Sequence, residues 1–257
     1  MSTGTRTRTR TRTTYPLRAE WAKFATLRPL WTTPFLAVAL SAGITAAAQA
    51  AYGSTDTSLT EDPMEGLYYG LNFGQVAVAC LGVLLIGQEY ASGTLATSLA
   101  AVPDRLRFYR AKLLLGTGLG LAVGLVTVGC QLAATAATVG LDLSAPGTAR
   151  ALAAGVLYHP LLLVLCLALT TVLRNQTAAL GLLSPAVFLG TTALAAVPGV
   201  REAARFLPDR AGQYALRLAD TPGAPYGHTT GLLLMAAWAA LAALAGLRTL
   251  RRKDAHA

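Results

Sequence analysis

Long apolar runs broken by short polar stretches dominate this chain. Six such runs lie near residues 32–51, 69–87, 113–139, 150–173, 177–197 and 230–247. A helix needs about 20 apolar residues to cross the hydrocarbon core of a bilayer, and each run is near or above that length. No run alternates apolar and polar positions with period two, so the spans are helical and not the strands of a barrel. The pattern predicts an all-α integral membrane fold with six transmembrane helices. The third run is longer than the others and has room to tilt or to extend beyond the bilayer.

Two further segments are amphipathic. In residues 15–31, YPLRAEWAKFATLRPLW, the residues Leu17, Trp21, Phe24, Leu27 or Arg28, and Trp31 recur at three-to-four spacing, with Arg18, Glu20 and Lys23 on the other side. This predicts an interfacial helix with Trp at headgroup depth, ended by Pro29. The second segment follows the second run. The chain turns polar at Gln88-Glu89-Tyr90, passes Gly93-Thr94, and then sets Leu95, Leu99 and Val102 at helical spacing before Pro103-Asp104. A basic cluster comes next: Arg105, Arg107, Arg110 and Lys112. A short amphipathic helix is therefore expected between spans two and three, its apolar face available to a partner. Near the other membrane face, residues 198–229 predict two short helices, Val200–Leu207 closed by Pro208-Asp209, and Ala211–Ala219.

Charge orients the chain. The N-terminus, residues 88–112, Arg174 and the C-terminal tail together carry 16 Lys/Arg and 4 Asp/Glu, a net charge of +12. The remaining connections carry 5 and 8, a net charge of −3. The positive-inside rule puts the first set in the cytoplasm, with both termini, in a multi-pass protein of the cell membrane. An even number of spans agrees with this. The overall charge of +9 sits beside apolar runs and does not imply nucleic acid. Residues 1–14, a Thr/Arg tail, are expected to be disordered, and the four arginines there offer a weak hold on anionic lipid. No apolar core follows them as in a signal peptide. Residues 15–257 form a single transmembrane domain.

The motifs mostly exclude chemistry. There is no Walker A pattern, no HExxH and no depth-matched Ser/His/Asp set, and Cys80, Cys130 and Cys166 lack metal-ligand spacing. Charges are not expected within the spans, which argues against a proton-coupled carrier. The outer acidic residues Asp56, Glu61, Asp62 and Glu65 lack calcium-loop spacing and are expected to be solvated. Gly116, Gly120 and Gly124 form a stripe that packs against another helix, in this chain or in a second copy. Gln75, Gln131 and His159 are polar residues within spans and possible members of a translocation pathway. For His159, which precedes Pro160, a bond to a neighbouring helix or an outer-interface position is the simpler expectation. Glu89 stands where span two leaves the membrane. It is either an ordinary interfacial carboxylate or an anchor that pairs with Lys23, Arg28 or Lys112 to hold the N-terminal helix against residues 88–112.

The residues LRAEWAKFATLRPLW and GQEYASGTLATSLAAVPDRLRFYRAK, with the weaker LRNQTAAL and FLPDRAGQYAL, resemble ABC-2 type transporter permease subunits of the six-helix kind found in actinobacterial drug and antibiotic exporters. The Thr/Arg tail is outside that pattern. The resemblance implies a cytoplasmic connecting helix at 15–28 and a coupling helix at 90–102 that docks on a separate ATPase subunit. The contact would involve Glu89, Tyr90, Gly93, Thr94, Leu95, Leu99 and Val102, with Arg174-Asn175-Gln176 as a minor second contact. Lys23, Arg28, Arg105, Lys112 and Arg174 would be cytoplasmic anchors, and residues 198–229 re-entrant helices near the exit. Two permease copies, or one copy and a paralogue, would assemble with two ATPases in membrane lipid. The chain would be no enzyme and hold no cofactor; ATP and Mg²⁺ would belong to the partner. The cargo would be hydrophobic or amphiphilic: a drug, an antibiotic or a lipid. Two rivals remain: a non-transporting anchor or sensor that recruits a cytoplasmic partner, and a secondary carrier.

Overall fold

The structure, a computed structural model, describes residues 11–52, 62–140, 143–190, 199, 201–219 and 224–252. These residues form helices and no strand. Helix α1 (Thr11–Thr26) leads into α2 (Arg28–Tyr52), and α3 (Pro63–Leu67) precedes α4 (Leu71–Ala91). The short α5 (Leu95–Ala101) joins α4 to α6 (Arg105–Thr138), followed by α7 (Thr148–Leu173) and α8 (Gln176–Pro185). A π-helical turn, Ala186–Gly190, continues α8. Two short helices, α9 (Arg201–Ala204) and α10 (Pro208–Ala215), precede α11 (His228–Arg252). Among the described residues, five helices, α2, α4, α6, α7 and α11, are long and apolar enough to cross a membrane. This is an all-α chain with the character of a multi-pass membrane protein.

The sixth expected span, 177–197, corresponds only in part. The described stretch from Gln176 to Gly190 is 15 residues long, or about 22 Å at 1.5 Å per residue, against a core of about 30 Å. Residues 191–198 lie outside the described residues. So do residues 1–10 of the Thr/Arg tail, whereas Thr11–Thr14 belong to α1.

Several boundaries differ from expectation because proline and aspartate start helices as readily as they end them. Pro29 sits in the first turn of α2 and does not terminate α1, whose last described residue is Thr26. Pro208 likewise opens α10 instead of closing the helix before it. Asp104 caps α6, its carboxylate accepting from the N–H groups of Leu106 (3.1 Å) and Arg107 (3.3 Å). The basic cluster is therefore the first two turns of a 34-residue helix.

Helix α7 occupies the centre and packs on α4, α6 and α11. The glycine stripe of α6 faces it. A Cβ at Gly116 would meet Leu163, one at Gly120 would lie 2.4 Å from the Cα of Pro160, and one at Gly124 would lie 2.4 Å from the carbonyl oxygen of Val156. Pro160 has no N–H, so the Val156 carbonyl four residues earlier lacks its helical donor. Glycines on α6 let that helix close over the site where α7 is irregular. The stripe thus packs within this chain.

The two ends of the bundle are identifiable from their contacts. At one end, Arg105 at the start of α6 donates to the carbonyls of Leu250 (3.0 Å) and Arg251 (3.2 Å) in the last turn of α11. Arg174, in the left-handed conformation that ends α7 (φ 55°), donates to Thr249 O at 3.1 Å. Helix α1 docks on α6 at this same end, called here the α1 end. At the far end, Arg150 in the first turn of α7 donates to Ala215 O (2.8 Å) and Arg217 O (2.5 Å). Asp62 caps α3 and accepts from Leu218 N (2.7 Å) and Ala219 N (2.9 Å). It is 5% exposed, so the expected solvated acidic loop is corrected at this residue: its oxygens are needed by main chain. Glu65 pairs with Arg217, while Asp56 and Glu61 lie outside the described residues.

Candidate functional site

Four charged side chains from three helices meet at the α1 end. Lys112, on the second turn of α6, is 1% exposed. Its ammonium lies 2.7 Å from Glu20 Oε2 of α1 and 3.1 Å from Glu89 Oε1 of α4, and it donates to Leu85 O at 3.0 Å. Lys23 of α1 lies 2.6 Å from Glu89 Oε1 and 3.1 Å from Glu20 Oε1, and donates to Ser98 Oγ of α5 at 3.3 Å. Two carboxylates and two ammoniums make the cluster electroneutral. This matters because both glutamates are nearly enclosed, and an uncompensated charge there would carry a heavy desolvation cost. Partial burial lowers the Lys23 pKa, but its hydrogen bond to Glu89 and the charges of Glu20 and Glu89 outweigh burial, and the net shift is upward.

The cluster explains the orientation of α1. Glu20 points inward, while Leu17 and Trp21 face out. In a soluble protein this arrangement would be inverted. Beside a bilayer it presents the apolar face to lipid and the ionic face to the bundle. Of the bases expected to pair with Glu89, Lys23 and Lys112 do so; Arg28 is exposed at the start of α2 and stands outside the cluster.

Helix α5 lies beside this cluster. Leu95, Leu99 and Val102 are half-buried and pack on the protein's own core, together with Tyr90. The expectation that this apolar face awaits a partner is corrected here: a short amphipathic helix lowers its free energy by covering its apolar residues with its own chain. The exposed positions are Gly93, Thr94, Ala96, Thr97, Ala100 and Ala101; of these Thr94, Thr97 and Ala101 line a cavity between α5, α1, α4 and α6, and Gly93, Ala96 and Ala100 do not. Glu89, 5% exposed at the end of α4, is enclosed behind α5 and is not presented to a partner.

Gln75, Gln131 and His159, the polar residues singled out within the spans, are buried. Gln75 accepts from Tyr158 Oη (2.5 Å) and Gln213 Nε2 (3.4 Å) and donates to Val187 O (3.2 Å), joining four segments. Gln131 donates to Thr45 Oγ1 at 3.3 Å, and one turn further on Gln49 donates to Thr135 Oγ1 at 2.9 Å. These bonds form a polar ladder between α2 and α6, of the kind that holds helices together in lipid. His159 is 1% exposed and its Nδ1 lies 2.9 Å from Gly155 O of its own helix, so the expected interhelical bond or interfacial position does not describe it. These three residues are packed in the bundle core. Among the described residues, no group of three His, Cys, Asp or Glu side chains is placed to hold a metal ion.

Sequence reasoning reached Glu89, Lys23 and Lys112 but left Glu20 as one member of a polar face. The signal was there: an isolated acid three residues before Lys23 in an otherwise basic N-terminal segment. Thr45 and Gln49 gave no signal, being small or neutral polar residues in an apolar run. No protein-family model matches the chain, and a search of curated proteins finds no match.

Proposed function

We propose that this chain is the membrane-spanning subunit of an ABC exporter, forming a pathway for a hydrophobic or amphiphilic substrate and driven by a separate ATPase subunit. The observation that carries the reading is α5: a seven-residue helix between two long apolar helices, whose outward face is small and polar and whose inward face is tied to α1 by the cluster of Glu20, Lys23, Glu89 and Lys112. A partner pressing on α5 would move α1, α4 and α6 together, since salt bridges or hydrogen bonds join all four. That is the mechanical need of a subunit whose energy source lies in another chain. The resemblance in LRAEWAKFATLRPLW and GQEYASGTLATSLAAVPDRLRFYRAK supports the same assignment.

In this reading the α1 end is cytoplasmic, as its basic residues require. Both α1 and the last turn of α11 lie there, so the chain crosses the membrane an even number of times. In this reading a sixth crossing lies between α7 and α10, since Arg174 stands at the α1 end and α10 at the far end. Two copies, or this chain and a paralogue, would complete the membrane part.

The test is co-purification in mild detergent with the ATPase encoded beside this gene. Wild type is expected to retain the ATPase, and the double variant Ala96→Asp, Ala100→Asp to lose it while keeping its melting temperature. Retention by the variant would remove α5 as the coupling element. If neither protein binds an ATPase, the anchor reading replaces the exporter reading.

A further inference from the structure

The charge cluster also borders a cavity that the coupling role does not use. The cavity lies between α1, the end of α4, α5 and the start of α6, and measures about 900 Å³. That is the size of a small-molecule site. Most of its wall is apolar, including Leu27, Leu30, Leu85, Val102 and Phe108.

The charged groups on the wall are already matched. An ammonium has three N–H donors. Those of Lys112 face Glu20 Oε2, Glu89 Oε1 and Leu85 O at 2.7, 3.1 and 3.0 Å. Those of Lys23 face Glu89 Oε1, Glu20 Oε1 and Ser98 Oγ at 2.6, 3.1 and 3.3 Å. Two positive charges balance two negative ones, so a charged occupant would leave water without gaining a free counter-charge.

The neutral groups do have capacity. Ser92, Thr94 and Thr97 are exposed and line the cavity. Ser92 Oγ donates to Gln88 O at 2.7 Å and accepts from Thr94 Oγ1 at 2.8 Å, and Thr97 Oγ1 donates to Thr94 O at 2.7 Å. Each hydroxyl proton is thus committed, while each oxygen keeps a lone pair. These contacts gather three neutral acceptors where α4 turns into α5. Gln88 and Gln176 add uncharged amides to the same wall. A head that suits this wall is uncharged and donates a hydrogen bond, as an alcohol does. Position adds a second constraint. Helix α1 forms one wall and turns Leu17 and Trp21 outward, as a helix at the lipid–water boundary does. An occupant at that depth continues from its head into apolar chain.

We propose that this cavity binds a bilayer lipid of the diacylglycerol class, its free hydroxyl donating into the Ser92–Thr94–Thr97 group while its acyl chains cover Leu27, Leu30, Val102 and Phe108. The inference rests on the membrane placement of the chain and is independent of the exporter reading, since it requires neither nucleotide nor ATPase.

Dioctanoylglycerol, its O-methyl ether and dioctanoylphosphatidic acid test the idea. They carry the same tails on a neutral donor, a neutral non-donor and an anion. The purified, delipidated full chain is titrated with each, and the adducts are counted by native mass spectrometry. Ala101→Trp fills the cavity from α5, so the binding it abolishes is the binding that belongs to the cavity. One hydrogen bond corresponds to a preference of about fivefold for the alcohol over the ether. Phosphatidic acid is expected to bind the cavity no better than the ether. The double variant Thr94→Val, Thr97→Val removes two acceptors at constant bulk and should bring the alcohol down to the ether with an unchanged melting temperature. Equal binding of alcohol and ether by wild type overturns the proposal, as does phosphatidic acid matching the alcohol in the cavity. So does an alcohol preference that survives in either folded variant, and a variant that fails to fold leaves the other to decide.

Discussion

The two ends of the bundle use charge in different ways. At the α1 end, charged side chains bind each other: Glu20, Lys23, Glu89 and Lys112 join three helices through side-chain contacts. At the far end, charged side chains mainly bind main chain: Arg150 takes two carbonyls and Asp62 takes three N–H groups. A side-chain pair holds two elements and lets them pivot about flexible linkages. A charge on main chain fixes a loop in one conformation. The α1 end is thus a junction between helices and the far end a set of fixed turns. The difference also determines what a mutation leaves behind. Removing one member of a neutral cluster leaves net charge in an enclosed space, whereas removing a capping residue leaves neutral polar groups near the surface.

The largest effect is therefore expected at Lys112. Lys112→Met leaves two enclosed carboxylates facing Lys23 alone and should destabilise the fold by about 3–5 kcal/mol, as breaking a buried pair does. Adding Glu20→Gln should recover part of that loss, giving a non-additive cycle by thermal unfolding in detergent. Simple additivity would contradict the cluster.

The glycine stripe comes next. Gly120→Leu must push α6 away from the Pro160 backbone and is expected to cost about 1–3 kcal/mol, as overpacking does. Gly118→Ala and Gly129→Ala, where nothing lies within 4 Å of an added Cβ, should leave the melting temperature unchanged or raise it. If all three behaved alike, close α6–α7 contact would be refuted.

A smaller effect is expected at the far end. Arg150→Met uncaps two carbonyls and should cost about 1–3 kcal/mol. It should raise hydrogen exchange in residues 208–219 while leaving α1 protected. Exchange rising equally at both ends would mean that the ends are not independent.

The smallest effect is on pH dependence. The Lys23 pKa is raised above 10.5, so its contribution is fully present below that value and is lost as pH rises through the higher folded-state value. Stability should be flat in this respect from pH 7 to about 9, and any alkaline loss above 10.5 should be smaller in Lys23→Met. Lys23 is partly exposed, so solvent screening keeps the effect modest.

Much of the architecture was legible in sequence. The apolar runs marked α2, α4, α6, α7 and α11 to within a few residues except at the start of α6, which begins at Arg105, eight residues before the apolar run. Hydropathy does not register a charged first turn as part of a spanning helix, so the Arg105–Lys112 segment looked like a loop. At α5, helical spacing identified an amphipathic element and its apolar face, but periodicity does not say which surface covers that face. The glycine stripe shows the same limit: spacing showed that a helix packs there, and only the fold identified α7 as that helix.

Sequence alone determined what free energy of transfer and charge determine: which segments are apolar enough for lipid, which connections are basic, and which residues at Glu89 and its neighbours have charges to pair. These are properties of residues and their near neighbours along the chain. Tertiary structure decided which surfaces meet. It brought Glu20 to Lys112 across 92 positions, turned Leu95, Leu99 and Val102 inward, and set Gly124 over the carbonyl that Pro160 leaves without a donor. Each of these depends on a distance between segments remote in sequence, and the packing of the whole bundle sets that distance.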